Sequence, residues 1–143
     1  MNLRFMDRLQ PFGFLVLRVV LGVIMFAHGY QKVFGGLHKH VELVASLGMP
    51  GWLAYVSVAA EFLGGILLIA GLITRCAAVA VCIDMLVAIL KVHLHNGLLG
   101  QGGYQFPLAL AAMAFVIIFT GAGPISLDWV FSGGGGAGAG QHR

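Results

Sequence analysis

Charged side chains are scarce in this sequence. Only 9 % of its 143 residues are Asp, Glu, Lys or Arg, whereas a water-soluble globular protein carries about a quarter. Hydrophobic residues make up 59 %, and the mean hydropathy is +0.96. So few charges cannot cover a globular surface in contact with water. The composition therefore excludes an ordinary soluble domain and indicates that a lipid bilayer is the solvent of this chain.

Cysteines, basic runs and metal-binding motifs are also few or absent. The two cysteines, Cys76 and Cys82, are six residues apart, which is neither a CxxC motif nor a disulfide framework. The eight basic residues are scattered, so the net charge of +3 gives little support to nucleic-acid binding. The His pairs 38/40 and 93/95 lie on different faces of a helix, although in an extended loop each pair would point the same way. We therefore expect no metal site, no intrinsic cofactor and no nucleic-acid partner.

Long apolar runs are what the sequence does contain. Four segments approach the roughly 20 residues that cross a bilayer, and Gly- or Pro-containing connections separate them. They cover residues 13–34, 52–72, 74–92 and 104–121. The prediction is an all-α integral membrane protein, a single domain over residues 1–131 that forms a four-transmembrane-helix bundle. Residues 132–143 form a Gly-rich C-terminal tail with the composition of a linker.

The distribution of Lys and Arg predicts the orientation of this bundle. Arg4, Arg8 and Arg75 fall on one side of the predicted spans, while Lys39 and Lys91 fall on the other. Cytoplasmic loops of membrane proteins carry an excess of basic residues. We therefore expect both termini to be cytoplasmic and the chain to be a multi-pass protein of a bacterial inner (plasma) membrane.

Three of the ionisable residues inside the predicted spans, Arg18, Glu61 and Asp84, form a candidate intramembrane polar cluster. At ~1.5 Å per residue, Glu61 and Asp84 both lie about 15 Å deep, and Arg18 lies about 7 Å deep with a side chain that can extend inward. A charge at this depth needs a partner. The face of the first span that carries Arg18 should point into the bundle, and it consists of Arg18, Gly22, Met25, Gly29 and Lys32. We expect Arg18 to pair with Glu61, with Asp84 at the same level. The cluster could bind a polar head group or pass a proton, or it could be a salt bridge that only fixes helix register.

A second polar layer is expected at the outer end of the bundle. It consists of His28, Lys32, Lys91 and His93. His28 lies within the first span and could simply be a neutral side chain bonded to a neighbouring helix.

Four motifs in sequence order resemble those of the DoxX family of small four-helix membrane proteins. The first is R-x3-G-x5-HG-x2-K-x2-G at residues 18–35, and the second is the Glu-Gly-Gly-rich helix that ends in a GL-x-TR turn, residues 61–75. "KVHLHNG" and "GGYQFPL" together form the third, at residues 91–108, and "TGAGPISLD" at residues 120–128 is the fourth. The resemblance implies a four-helix bundle, an inner-membrane location and a link to redox chemistry, because DoxX-like chains resemble a subunit of a thiosulfate:quinone oxidoreductase.

The resemblance and the small size favour an accessory subunit of a larger redox or energy-converting membrane complex. We expect it to bind membrane lipids and other membrane-protein subunits, to hold a quinone or lipid molecule, and not to be catalytic alone. Three alternatives stay open: a structural or assembly subunit without substrate, a stand-alone quinone-linked oxidoreductase, and a transporter of a small solute or protons. The oxidoreductase alternative is weakened because the sequence shows no flavin, haem or metal motif to carry electrons.

Overall fold

Helices form nearly all the regular structure of residues 3–133, the part of the chain that this computed structural model describes, and no strand occurs there. The predicted tail lies outside the described residues from position 134 onward. Two helices continue through wider π-helical turns: Lys32–Gly36 links α2 to α3, and Ile89–His93 follows α5 and leads into a 3₁₀ turn, Leu94–Asn96. The α-helices are α1 (Arg4–Asp7), α2 (Gln10–Gln31), α3 (Leu37–Ser46), α4 (Trp52–Ala70), α5 (Thr74–Ala88), α6 (Gln105–Thr120) and α7 (Leu127–Phe131).

Sequence features at the helix ends explain these bounds. Pro11 lies in the first turn of α2, where its missing N–H costs no hydrogen bond. Gly71 ends α4 in the left-handed region with a φ of 70°. Ser126 accepts a hydrogen bond from the Trp129 N–H at 3.2 Å and so caps α7. The break predicted between the second and third spans therefore lies at a real helix end. The break predicted after residue 34 is wrong, because the helix continues through the π turn into α3 and ends at Ser46.

Three helical stretches are long and apolar enough to cross a membrane: Gln10–Ser46, Trp52–Ala70 and Thr74–Asn96. Helix α6 is apolar but has only 16 residues, or about 24 Å against a hydrocarbon core of about 30 Å. The all-helical membrane architecture is thus confirmed, while a fourth span and the cytoplasmic position of both termini stay predictions.

Helices α2, α4, α5 and α6 pack in a ring, with α2 against α4, α4 against α5, α5 against α6 and α6 against α2. The α2–α4 contact is close because glycines face it. A Cβ atom on Gly65 would lie 2.5 Å from the Phe26 nitrogen, and one on Gly29 would lie 2.5 Å from the Phe62 nitrogen. Glycine lets two helix backbones approach closely inside a membrane. These contacts fix the register of α2 against α4.

The centre of the ring is apolar, and its outer surface is apolar as well. Large side chains such as Phe34, Leu90 and Phe119 are more than 60 % exposed, as expected for a surface that lipid covers. The fully buried core side chains are also aliphatic, and they include Leu21, Met25, Leu68, Val81 and Ile117. This core separates the two ends of the bundle, which we call the α3 end and the α7 end.

Candidate functional site: a membrane cavity with one polar wall

A cavity of about 480 Å³ opens at the α3 end of the bundle, between α3, α4 and α5. Most of its wall is aliphatic, because α3 presents Leu43, Val44 and Leu47 to it and α5 presents Ile83 and Val87. Its polar wall is formed by Lys32, His40, Ser57, Glu61, Asp84, Lys91 and His93. Pockets that bind small molecules have this size and this mixture of apolar walls and few polar groups.

Glu61 is the most deeply buried acid of the cavity wall, with a relative exposure of 4 %. Its Oε1 accepts a hydrogen bond from Lys32 Nζ at 2.6 Å, and the two side chains form an ion pair. Its Oε2 is buried without a hydrogen-bond partner among residues 3–133. A buried carboxylate oxygen is costly to leave unpaired, so Glu61 retains hydrogen-bonding capacity for a ligand.

Asp84 lies beside Glu61 across the α4–α5 contact, within interaction range of the Ser57 hydroxyl and the Glu61 carboxyl. The cluster therefore holds two acids and the single ammonium group of Lys32. One positive charge balances one carboxylate, so one proton held by the two acids makes the cluster neutral. Such a cluster can hold a proton and exchange it with a bound molecule.

The expected pair between Arg18 and Glu61 is wrong. Arg18 is 3 % exposed and lies at the α7 end, where Nη1 donates to the Ala122 carbonyl and Nη2 donates to the Ile125 carbonyl at 2.8 Å. A Cβ on Gly71 would lie 2.8 Å from Arg18 Nη1, and Gly71 is ten residues, or about 15 Å of helix, from Glu61. Carbonyl groups of the segment after α6 accept from both terminal nitrogens of Arg18, whereas its Nε is buried without a partner among residues 3–133.

Asp128 completes the contacts at the α7 end. Its two carboxylate oxygens accept hydrogen bonds from the Ile73 N–H at 2.6 Å and the Thr74 N–H at 2.9 Å, at the start of α5. Burial acts to raise the pKa of Asp128, but the hydrogen bonds from Thr74 and Ile73 and the charge of Arg18 outweigh it and lower that pKa below its usual value. Arg18 and Asp128 thus hold the segment after α6 against the bundle, and we call these hydrogen bonds the α7-end contacts.

The four residues of the predicted outer layer do not all come together. Lys32, Lys91 and His93 line the cavity, and His93 Nδ1 lies 2.7 Å from the Gly102 carbonyl oxygen. His28 is exposed and lies outside the cavity wall, with its ring 5.7 Å from that of Phe106. His28 lies one turn before Lys32 on α2, but its ring packs against Phe106 of α6 and is not part of the cavity wall.

His40 and Ser57 are cavity residues that the sequence interpretation missed. His40 is on α3, whose cavity-facing residues are His40, Leu43, Val44 and Leu47. The i, i+3, i+4, i+7 spacing of these four positions is the pattern of one helix face. This pattern could have identified His40 as a polar group on an otherwise apolar face. Ser57 lies one turn before Glu61 on α4, which is also the spacing of a shared face.

Metal-ligating side chains do not cluster in residues 3–133, where no group of three or more His, Cys, Asp or Glu could hold an ion.

Comparison with known proteins identifies the family. The family model described as DoxX matches residues 13–94. "Putative oxidoreductase CatD" of Bacillus subtilis (strain 168) is 34 % identical over 129 residues, 90 % of this chain and 94 % of that protein. "Inner membrane protein YqjF" of Escherichia coli (strain K12) is 26 % identical over 127 residues, 86 % of this chain and 95 % of that protein. No solved structure matches the chain.

The matched region contains both acids of the cavity wall and the Lys32 that pairs with Glu61. The apolar helices and the inner-membrane relative together establish a multi-pass protein of the bacterial inner membrane. The predicted family is confirmed: this chain belongs to the DoxX family.

Proposed function

We propose that this chain is an accessory subunit of a redox membrane complex that holds a quinone in the cavity at the α3 end. The observation that carries the proposal is the adjacent pair of acids Glu61 and Asp84, with the buried Glu61 Oε2, in the polar wall of an otherwise aliphatic cavity of about 480 Å³. An amphipathic molecule with a polar ring and an apolar tail matches both parts of that wall. The relative named as an oxidoreductase supports a redox role.

A quinone supplies two-electron, two-proton redox chemistry when it is bound. The chain itself binds and orients the ring and handles the protons. Glu61 Oε2 accepts a hydrogen bond from a ring hydroxyl or receives its proton, while Lys32 Nζ keeps the Glu61 carboxylate charge balanced. Asp84 beside Glu61 holds the second exchangeable proton. The electrons pass to or from another subunit, because the family relation and the absence of a cofactor motif in the sequence favour an accessory role.

Binding of decylubiquinone to the protein in lipid nanodiscs tests the first half of the proposal. Ala60 lines the cavity, whereas the neighbouring Ala59 is exposed and lies outside the wall. Ala60→Leu fills part of the cavity and should weaken binding about tenfold or more, or ~1.4 kcal/mol. Ala59→Leu adds the same atoms to the outer surface and should leave binding unchanged. Equal affinity in both variants would contradict the proposal.

Native mass spectrometry of the gently purified protein tests the second half and distinguishes a quinone from a lipid. We expect a mass that corresponds to the chain with a bound quinone and with other membrane subunits. A phospholipid retained in place of quinone would favour the lipid-holding structural subunit. A monodisperse chain without partner proteins would contradict the accessory role.

Transport has less support from the geometry. Met25, Leu68 and Val81 pack in the fully buried core of the bundle and are not part of the cavity wall. A solute path across the bundle would have to pass through this packed layer, which is also what keeps the two polar ends apart.

A further inference from the structure

Protons that exchange at Glu61 have to reach it through one end of the bundle. Toward the α7 end, the next buried side chains are aliphatic, with Met25, Leu68 and Val81 all at 0 % exposure. The next charged group in that direction is Arg18, beside Gly71 and about 15 Å of helix away. A proton crosses a packed aliphatic layer only at a large cost in desolvation. The structure therefore leaves the α3 end as the side from which protons enter.

Helix α3 lies over the cavity at that end and carries one imidazole into its wall. His40 Nε2 is buried and has no hydrogen-bond partner in the described part of the chain. The charges of Lys32 and Asp84 both act on the His40 ring. His40 thus lines the same cavity as Glu61 and Asp84, on the helix whose exposed side carries the His38–Glu42 pair.

The other titratable groups around the cavity are less free to carry protons. Lys32 Nζ is engaged by Glu61, and His93 Nδ1 is at hydrogen-bond distance from the Gly102 carbonyl. An imidazole can take a proton at one ring nitrogen and release the proton on the other, so it passes a proton on without a net change of its own charge. The titratable and charged groups that face His40 from the elements around it are Lys32, Glu61, Asp84, Lys91 and His93.

We propose that His40 is the proton-transfer group that connects water at the α3 end with the Glu61–Asp84 pair. A proton from water binds one ring nitrogen, and the proton on the other nitrogen moves to a carboxylate oxygen of the pair. The reverse sequence returns a proton to the water on the same side. The inference rests on the proposed function for its purpose, because a quinone at Glu61 needs such a supply, but the transfer itself requires no ligand.

Infrared difference spectroscopy after a rapid pH change tests the transfer without any quinone. The protein in nanodiscs is followed through its carboxyl bands, which Glu61→Gln and Asp84→Asn assign. His40→Gln removes the imidazole and should slow proton exchange at these bands about 100-fold, the range of one general acid–base group. His38→Gln changes an exposed histidine on the same helix and should leave the rate unchanged. Added imidazole should restore the rate in His40→Gln, which a misfolded protein would not show.

An unchanged exchange rate in His40→Gln would overturn the proposal, as would equal slowing in the His38→Gln control. If His40→Gln loses helix content, His40→Asn replaces it in the same assay, and the same outcomes apply. This result is separate from quinone binding. If proton exchange is slowed in His40→Gln but the protein binds no decylubiquinone, only the proposed function is contradicted. If the protein binds decylubiquinone but exchange in His40→Gln is unchanged, only the role of His40 is contradicted.

Discussion

The Lys32–Glu61 ion pair should respond asymmetrically to removal of its two partners. The Glu61 side chain is 5 % exposed, whereas the Lys32 side chain is 29 % exposed. At 2.6 Å and an effective dielectric constant of about 20, the attraction is about 6 kcal/mol before desolvation. Desolvation cancels much of this gain, so the measurable quantity is the cost of leaving one charge behind.

Lys32→Met removes the cation and leaves a buried carboxylate without compensation, which should cost about 3–5 kcal/mol of unfolding free energy. Glu61→Gln leaves an ammonium group that can reach water through its flexible stem, and the new amide oxygen can still accept from Nζ. This change should cost only about 1 kcal/mol. The double variant has neither the Glu61 carboxylate nor the Lys32 ammonium group. Its loss of unfolding free energy should therefore be about 2 kcal/mol or more below the sum of the two single losses.

Unfolding by increasing SDS in mixed micelles, followed by far-UV circular dichroism, measures the unfolding free energy. The four proteins compared are the unmodified chain, the two single variants and the double variant. Lys39→Met removes a charge from the exposed face of α3 and should change stability by less than about 0.5 kcal/mol. Equal costs for Lys32→Met and Glu61→Gln, or additive costs in the double variant, would refute the assignment of Lys32 as the counter-charge of a buried acid.

Two further predictions concern the α7-end contacts and the α2–α4 contact. Asp128→Asn should lower the unfolding free energy by about 1 kcal/mol. This is the effect of losing a helix cap, because Asp128 accepts from the N–H groups at the start of α5. Because the folded pKa of Asp128 is lowered, its contribution should be complete above about pH 4, the pKa of a free aspartate, and lost below it. A pH series of SDS unfolding checks this, and an unchanged acid response in Asp128→Asn would contradict it. Gly65→Ala should destabilise by about 1–3 kcal/mol, because its Cβ meets the Phe26 backbone at 2.5 Å. A Cβ on Gly13 would have no atom within 4 Å, so Gly13→Ala should leave stability unchanged or raise it. A larger loss of stability in Gly13→Ala than in Gly65→Ala would contradict the close α2–α4 contact.

The helix face that carries Arg18 could be predicted from the sequence, but its register could not. The stripe from Arg18 through Gly22, Met25 and Gly29 is buried as predicted, and Lys32 at its end contacts Glu61. Depth counted from the ends of apolar runs placed Arg18 closer to Glu61 than it is. The true register depends on backbone contact at glycines such as Gly29, which a periodicity analysis of a single helix does not show.

The face of α3 that carries His40 could be recognised from its spacing, but its orientation relative to α2 could not be predicted. The π turn Lys32–Gly36 adds a residue to one turn of the helix, which rotates everything after it by about 100°. The face of α2 therefore cannot be extended through the turn to assign the faces of α3. Apolar spans, in contrast, depend on local composition alone, and these gave the all-helical membrane architecture, whereas the break predicted at Gly35 and Gly36 is helical.

The two polar ends of the bundle differ in how their side chains are engaged. At the α7 end, both terminal nitrogens of Arg18 and both oxygens of Asp128 bind backbone groups of neighbouring segments. These side chains fasten the fold. At the α3 end, Glu61 Oε2 and His40 Nε2 are buried at a cavity wall without such partners. Arg18 Nε and Thr74 Oγ1 at the α7 end are also buried without partners among residues 3–133, so unpaired atoms alone do not separate the two ends. At the α3 end such atoms line the wall of a largely aliphatic cavity, and the proposed ligand site rests on that setting.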